Sequence, residues 1–414
     1  MIRFLALALL FVSSSVIAKS AAADQKMPHL DLEMSSTELQ KVYDQTRWSI
    51  FDDAQKRLDA PVRAGKRNLD WLNFINSTRP EKISFSDPKK PRGIPMDKPS
   101  EYNEEIAYKK YTDLVEQMPK EMKKVIIDGE AFTADPGIPV EDYIEWGDKI
   151  DRAYQTAIRW MMMEPYLGYL AQRRYQDIRG YYFILNYPNR DEVLATLDTL
   201  PTDEREKFVG WLAGVCMNGG TDATICTNEA RKAVNGKSAK AFWDKYKTTS
   251  RNLWNNFHNI GTTNYGVEWT QANPNVTRVP FRIQSTTDMT RFLKHNLEEE
   301  WQWNDWKLKV YFDSAPAYAI EVIWQPGITP HVPGLGSSQI YMDSNAPLTE
   351  WDVQWTIRHE FGHNLGFPDC YVEFYDSDRK VIINYQLDIT DLMCSRSGRL
   401  KERHFTEMKR AYLR

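Results

Sequence analysis

Residues 359–363 of the chain read His359-Glu360-Phe361-Gly362-His363. Histidines four apart project from one face of a helix, one turn from each other. That spacing suits two imidazole nitrogens on a single tetrahedral Zn²⁺. Glu360 lies about 100° round the same helix, too far to chelate beside them but placed to take a proton from a metal-activated water. The next residues, Asn364-Leu365-Gly366-Phe367-Pro368-Asp369, stop that helix. Gly366 takes a left-handed turn most easily, and Pro368 prevents the helix from resuming. The chain must then swing back, bringing the anionic Asp369 six residues after His363. Two neutral imidazoles and one carboxylate leave a net +1 on the ion and one position for water, the pattern of a catalytic zinc. Glu373, ten residues past His363, is a rival third ligand, while His331 and His404 read as surface or packing residues.

The helix carrying these groups opens at Pro347-Leu348-Thr349, with Thr349 and Asp352 in capping-box spacing. Before it, the pattern runs strand, helix, strands. Residues 279–284 alternate as a strand, and 288–303 are an amphipathic helix. Residues 306–312 set Leu308, Val310 and Phe312 against Lys307, Lys309 and Tyr311, a half-buried strand. Strands at 319–324 and 339–342 flank a Pro/Gly loop at 325–338. Residues 24–255 read as mostly helical. Apolar spacing covers 30–58, a Pro/Gly-rich loop 77–100, and a helix 101–118. A long stretch at 142–186 breaks near Pro165, and further helices cover 189–215 and 227–257. The character changes at Gly261, Gly266 and Asn273-Pro274. The expected organisation is therefore a helical N-terminal domain at 24–260, a linker at 261–275 and an α+β zinc domain at 276–414.

With 414 residues, 42% of them hydrophobic and 27% charged, the composition excludes a disordered or collagen-like chain. A net charge of −4 supplies no basic field for nucleic acid or an anionic membrane. Residues 1–23 read as a signal peptide: Arg3, an apolar run over 4–12, then small residues ending at Ala18 or at Ala21-Ala22-Ala23. That run is too short for a permanent membrane helix and no later stretch reaches transmembrane length, so an exported protein without an integral membrane segment, secreted or periplasmic, is expected. Export permits disulfides. Four cysteines allow three pairings, of which the local one joins Cys216 with Cys226 and Cys370 with Cys394.

The run H-E-F-G-H-N-L-G-F-P-D resembles the metzincin zinc-protease signature, H-E-x-x-H-x-x-G-x-x-H, in the version with Asp as third ligand found in snapalysin-like secreted proteases. Asp391-Leu392-Met393-Cys394-Ser395 is similar to the Met-containing turn of that clan. The resemblance implies a twisted mixed sheet with an active-site helix, one catalytic Zn²⁺ on His359, His363 and Asp369, Glu360 as general base, and Met393 as a structural residue beneath the ion. It also implies a protein or peptide substrate extended along an edge strand before Gln339. A Cys370–Cys394 bridge would staple the third ligand to the floor of such a site. Ser395 stands where some metzincins place an assisting Tyr, so no such role is carried over. The resemblance covers about residues 276–414 and leaves 24–260 open as a pro-segment, a recognition module or a scaffold. Two further readings remain: a binding or structural protein with an inert zinc site, and a zinc amidase acting on cell-wall peptides.

Overall fold

A computed structural model describes residues 57–89, 93–284, 286–314 and 317–414. The expected signal peptide at 1–23, and nearly all of the helix expected over 30–58, lie outside the described residues.

Helix α1 (Asp59–Thr78) and the short strand β1 (Ser100–Tyr102) flank the Pro/Gly-rich loop. The helix expected from residue 101 starts later, as α2 (Glu104–Gln117). Asn103 caps it by accepting from Ile106 N at 2.8 Å, which frees residues 100–102 to pair as a strand. After α3 (Lys120–Ile126), α4 (Val140–Met163) begins directly behind Pro139. It buries Tyr143, Ile150, Tyr154, Ala157 and Ile158 at helical spacing. It stops before Pro165, and α5 (Leu167–Gln172), α6 (Arg179–Leu185) and α7 (Arg190–Ala195) follow as short pieces. Helices α8 (Thr202–Met217), α9 (Ala223–Asn235) and α10 (Ala239–Asn256) complete the helical part, with the Cys216–Cys226 disulfide joining α8 to α9.

The rest is α+β: β2 (Val276–Arg282), α11 (Thr287–Glu300), β3 (Gln302–Trp303), β4 (Trp306–Asp313), β5 (Glu321–Gln325), β6 (Gln339–Asp343), α12 (Trp351–Asn364), β7 (Tyr371–Asp376), β8 (Val381–Gln386) and α13 (Glu402–Tyr412). Strand β2 pairs parallel with β4, and β3 folds back antiparallel on β4. Strands β5 and β6 pair in parallel, and a bridge between Phe281 and Ile320 links the two groups. His331 pairs antiparallel with Tyr341 on the outer side of β6. A third sheet, β1-β8-β7, is antiparallel throughout and takes its β1 edge from the helical part.

The hydrophobic interior divides elsewhere than at 261–275. One cluster runs from Ile178 to Tyr412, with Phe257, Ile260, Trp269 and Val279 all in it. Helices α6–α10 therefore share a core with the zinc-motif region. A second cluster, from Ala64 to Ile158, belongs to α1, α3 and α4 with their connections. The two are laced together by β1 and by Ile94 and Met96, which join the larger core.

The start of α12 is also capped differently from the Thr349–Asp352 box. Its N-cap is Glu350, with no cap from its own side chain. The helix N–H groups of Trp351 and Asp352 donate instead to Ser84 Oγ and Ser86 Oγ, at 3.4 and 3.2 Å. The Glu350 carboxylate accepts from Phe85 N and from Ser84 Oγ and Ser86 Oγ, all at 3.0 Å. Burial, with Asp352 nearby, pushes Glu350 up to about 7. A carboxyl raised on folding stabilises fully below its ordinary value and loses that contribution as pH rises through the folded value. Thermal stability is therefore expected to fall between pH 5 and pH 8, and Glu350→Gln to remove part of that slope. Melting curves with equal slopes for the two proteins would contradict it.

Candidate metal centre

Helix α12 is fixed before it reaches the motif. Arg358, 1% exposed, donates to Asn296 Oδ1 at 2.8 Å and to the Glu300 and Glu299 carboxylates at 3.1 and 2.9 Å, all on α11. At its other end Phe367 N bonds Gly362 O and Gly366 N bonds His363 O, a Schellman closure around Gly366 at φ 89°. That turn aims the Phe367 carbonyl back at the helix, where it accepts from His363 Nδ1 at 2.7 Å. His359 Nδ1 is held in the same way by the Leu392 carbonyl, also at 2.7 Å. Carbonyls only accept, so each Nδ1 carries a proton and each Nε2 is the atom left to ligate.

The three expected ligands come together. The two Nε2 atoms are 3.2 Å apart, and Asp369 Oδ1 lies 3.1 Å from that of His359 and 3.0 Å from that of His363. Donors at the usual bond length to a tetrahedral zinc sit about 3.3–3.4 Å from one another. The triad therefore fits such an ion after spreading by a few tenths of an ångström. Glu360 is on the same helix but outside the ligand group. The rival ligand Glu373 is engaged elsewhere: Tyr102 Oη donates to it at 2.5 Å, and Arg159 forms a buried ion pair with it. His331 stacks on Tyr341, and His404 is fully buried beside Asp391, so both are packing residues.

The segment 391–399 forms the floor. Asp391 accepts from Met393 N at 2.9 Å and pairs with Arg403 and His404. Burial opposes a charged Asp391, but the His404 and Arg403 side chains beside it hold its carboxyl well below the usual range. Met393 is fully buried, and its Sδ stands 2.3 Å from where a Cβ on Gly362 would lie, so the end of its side chain fills the space that glycine leaves. Cys370 is joined to Cys394 by a disulfide and to the Met393 carbonyl by its N–H at 3.1 Å. The third ligand and the floor are thus tied twice. Cys370, Asp391 and Cys394 also cluster, but as a disulfide the sulfurs are spent.

Burial disfavours a charged His363, yet the Asp369 carboxylate beside it outweighs that and pushes His363 up to about 9. The same two histidines hold Asp369 well below the carboxylate range against its burial. A proton on a ligand competes with metal. Zinc affinity is accordingly expected to rise about tenfold per pH unit up to about pH 9 and then level. Calorimetry in buffers of different ionisation heat should find about one proton released per ion at pH 7. Affinity flat across this range would contradict the pairing.

Sequence reasoning did not single out Asp391, Arg159 or Arg396. Arg159 was visible as the one charge in the run Ala153–Met163. Arg396, 5% exposed, has buried Nε and Nη2 atoms with no hydrogen-bond partner, and Glu360 is the strongest negative charge acting on it. Among the described residues no helix is long and apolar enough to cross a membrane. Comparisons with family models, curated proteins and solved structures found no match to this chain.

Proposed function

We propose that the chain is an exported zinc endopeptidase of metzincin type. The observation that carries this reading is three ligand atoms 3.0–3.2 Å apart with Glu360 on the same helix. Zinc bound by His359, His363 and Asp369 would lower the pKa of a water and polarise a peptide carbonyl. Glu360 would take the proton as water oxygen adds to the carbonyl carbon, and return it to the nitrogen as the C–N bond breaks. The strand–helix–strands–helix order up to α12, and Met393 packed under Gly362, support the metzincin relationship. The two disulfides favour an oxidising compartment. A protein substrate extended beside the His331 segment would have an antiparallel sheet margin to pair with.

The test is zinc content by native mass spectrometry, together with cleavage of an unstructured protein. It is run on the full chain and on a chain cut after α4, with and without chelator. One zinc per chain, with cleavage lost to chelator and restored by zinc, is expected. No zinc in chelator-free buffer, or no cleavage by either form, would overturn the reading.

A further inference from the structure

A cavity lies between α4 and the first turns of α12. Asp352 and Thr356 line it from α12, Asp151 and Gln155 from α4, and Arg396 from the floor loop. Thr356 is one turn before Glu360, so the cavity reaches toward the reacting groups. Pro330 also lines it, next to the His331 segment that pairs with β6. The α4 wall is a lasting part of the fold. Ala157, Trp160 and Met163 share an apolar cluster with Tyr102 and Ile382, and Arg159 and Tyr154 pair with Glu373 and Asp343. Leu69 of α1 closes the cavity further. Part of its lining therefore comes from outside residues 276–414, the stretch that resembles the metzincin clan.

The charges of this lining do not balance. Among the described residues that form it, Asp151, Asp343, Glu350 and Asp352 meet one cation, Arg396. Asp343 is committed to Gly327 N, Asn345 N and Tyr154 Oη, and Glu350 to Phe85 N and the Ser84 and Ser86 hydroxyls. Burial, then four neighbouring carboxylates with Asp352 foremost, push the Asp151 carboxyl well above its ordinary value. Arg396 is almost fully buried, and its Nε and Nη2 reach no acceptor. Glu360, then Asp352, are the negative charges that act on it most. Carboxylates gathered away from water favour a cation among them, and an unmet buried guanidinium donor is costly until an oxygen reaches it. A free carboxylate would satisfy Arg396 but be repelled by the four carboxyls, so the fitting oxygen is a neutral one. A basic residue within a peptide brings both parts, a main-chain carbonyl and a cationic tip. Resting on the endopeptidase reading, we propose that this cavity receives one substrate side chain and selects lysine or arginine there, with Asp151 and Asp352 pairing with its tip and Arg396 holding the carbonyl of the same residue. Asp151 and Asp352 are partly exposed, so a cation held between them keeps some of its water and the desolvation cost stays small.

The experiment uses the full chain loaded with zinc and peptides in which one lysine is walked through an uncharged sequence, with norleucine in its place as the control. Cleavage is expected at a fixed distance from the lysine, with kcat/KM at least about tenfold above that of the norleucine peptide. Asp151→Asn combined with Asp352→Asn is expected to bring the lysine peptide down to the norleucine rate. Arg396→Gln is expected to lower kcat/KM for both peptides by the same factor, and Arg396→Lys to recover part of it. Binding of ethylguanidinium, followed by ligand-observed NMR, reads the acidic end of the pocket without any cleavage. It is expected in wild type and in Arg396→Gln and lost in the double variant, with Asp151→Asn alone as the test should the double variant not fold. Cleavage that ignores the lysine, or a preference unchanged in the acid variants, would overturn the pocket. So would the absence of ethylguanidinium binding. If ethylguanidinium binds to wild type and not to the double variant, yet no peptide is cleaved, the cation site stands and the endopeptidase reading falls.

Discussion

Glu360→Ala is expected to abolish cleavage of an unstructured protein while leaving one zinc bound. A positioned general base contributes about 10²–10⁴-fold, and the loss should lie in that range in both full-length and cut chains. Zinc should stay because the ligand group is His359, His363 and Asp369, to the exclusion of Glu360. Folding should stay because Arg358 anchors α12 through α11 independently of Glu360. Glu360→Gln keeps the shape of the side chain and removes only its capacity to take a proton, so it should lose as much. Undiminished turnover in either variant would end the endopeptidase reading, and loss of zinc in both would turn Glu360 into a structural residue. An inert zinc-binding protein predicts no difference at all between wild type and variant.

How far the sequence alone reached depended on whether an interaction was local. His359, His363 and Asp369 lie within eleven residues, and helix periodicity followed by a Gly-Phe-Pro stop was enough to bring them together on paper. Apolar spacing over 142–186 and 288–303 marked the helices Val140–Met163 and Thr287–Glu300, and alternation over 306–312 marked the strand Trp306–Asp313. What failed was non-local. Ser100–Tyr102 has no strand signal of its own and pairs because β8 offers an edge 280 residues later. The hairpin of β7 and β8 is buried on both faces, so its sequence lacks the alternation of a half-buried strand. Thr349 had the right spacing for a capping box, but Ser84 and Ser86 reach the helix end first, from a loop 266 to 267 residues upstream in sequence. The expected linker at 261–275 is loop-like, yet Trp269 within it is buried in the larger core. Glycine and proline mark where a chain turns, and say nothing of which cores lie on either side.

Gly366→Ala is expected to lose both stability and metal. Its φ of 89° is left-handed, a conformation costing an L-residue about 1–2 kcal/mol. The new Cβ would in addition stand 2.0 Å from the Thr262 carbonyl oxygen, which is backbone and cannot swing aside. Either the Schellman turn opens or the 260–263 segment moves. If the turn opens, the Phe367 carbonyl leaves His363 Nδ1 and Asp369 leaves the two Nε2 atoms. Loss of one such supporting hydrogen bond weakens metal binding about 10–100-fold, so zinc affinity should fall at least that far, alongside a lower melting temperature. Gly210→Ala is the matched control. It sits inside α8 with nothing within 4 Å of the added methyl, so helix propensity should make it neutral or slightly stabilising. Should Gly366→Ala lower the melting temperature but bind zinc as wild type does, the 260–263 segment has yielded instead. The helix stop would then be a matter of fold stability alone, and Asp369 would owe its position to the Cys370–Cys394 tie.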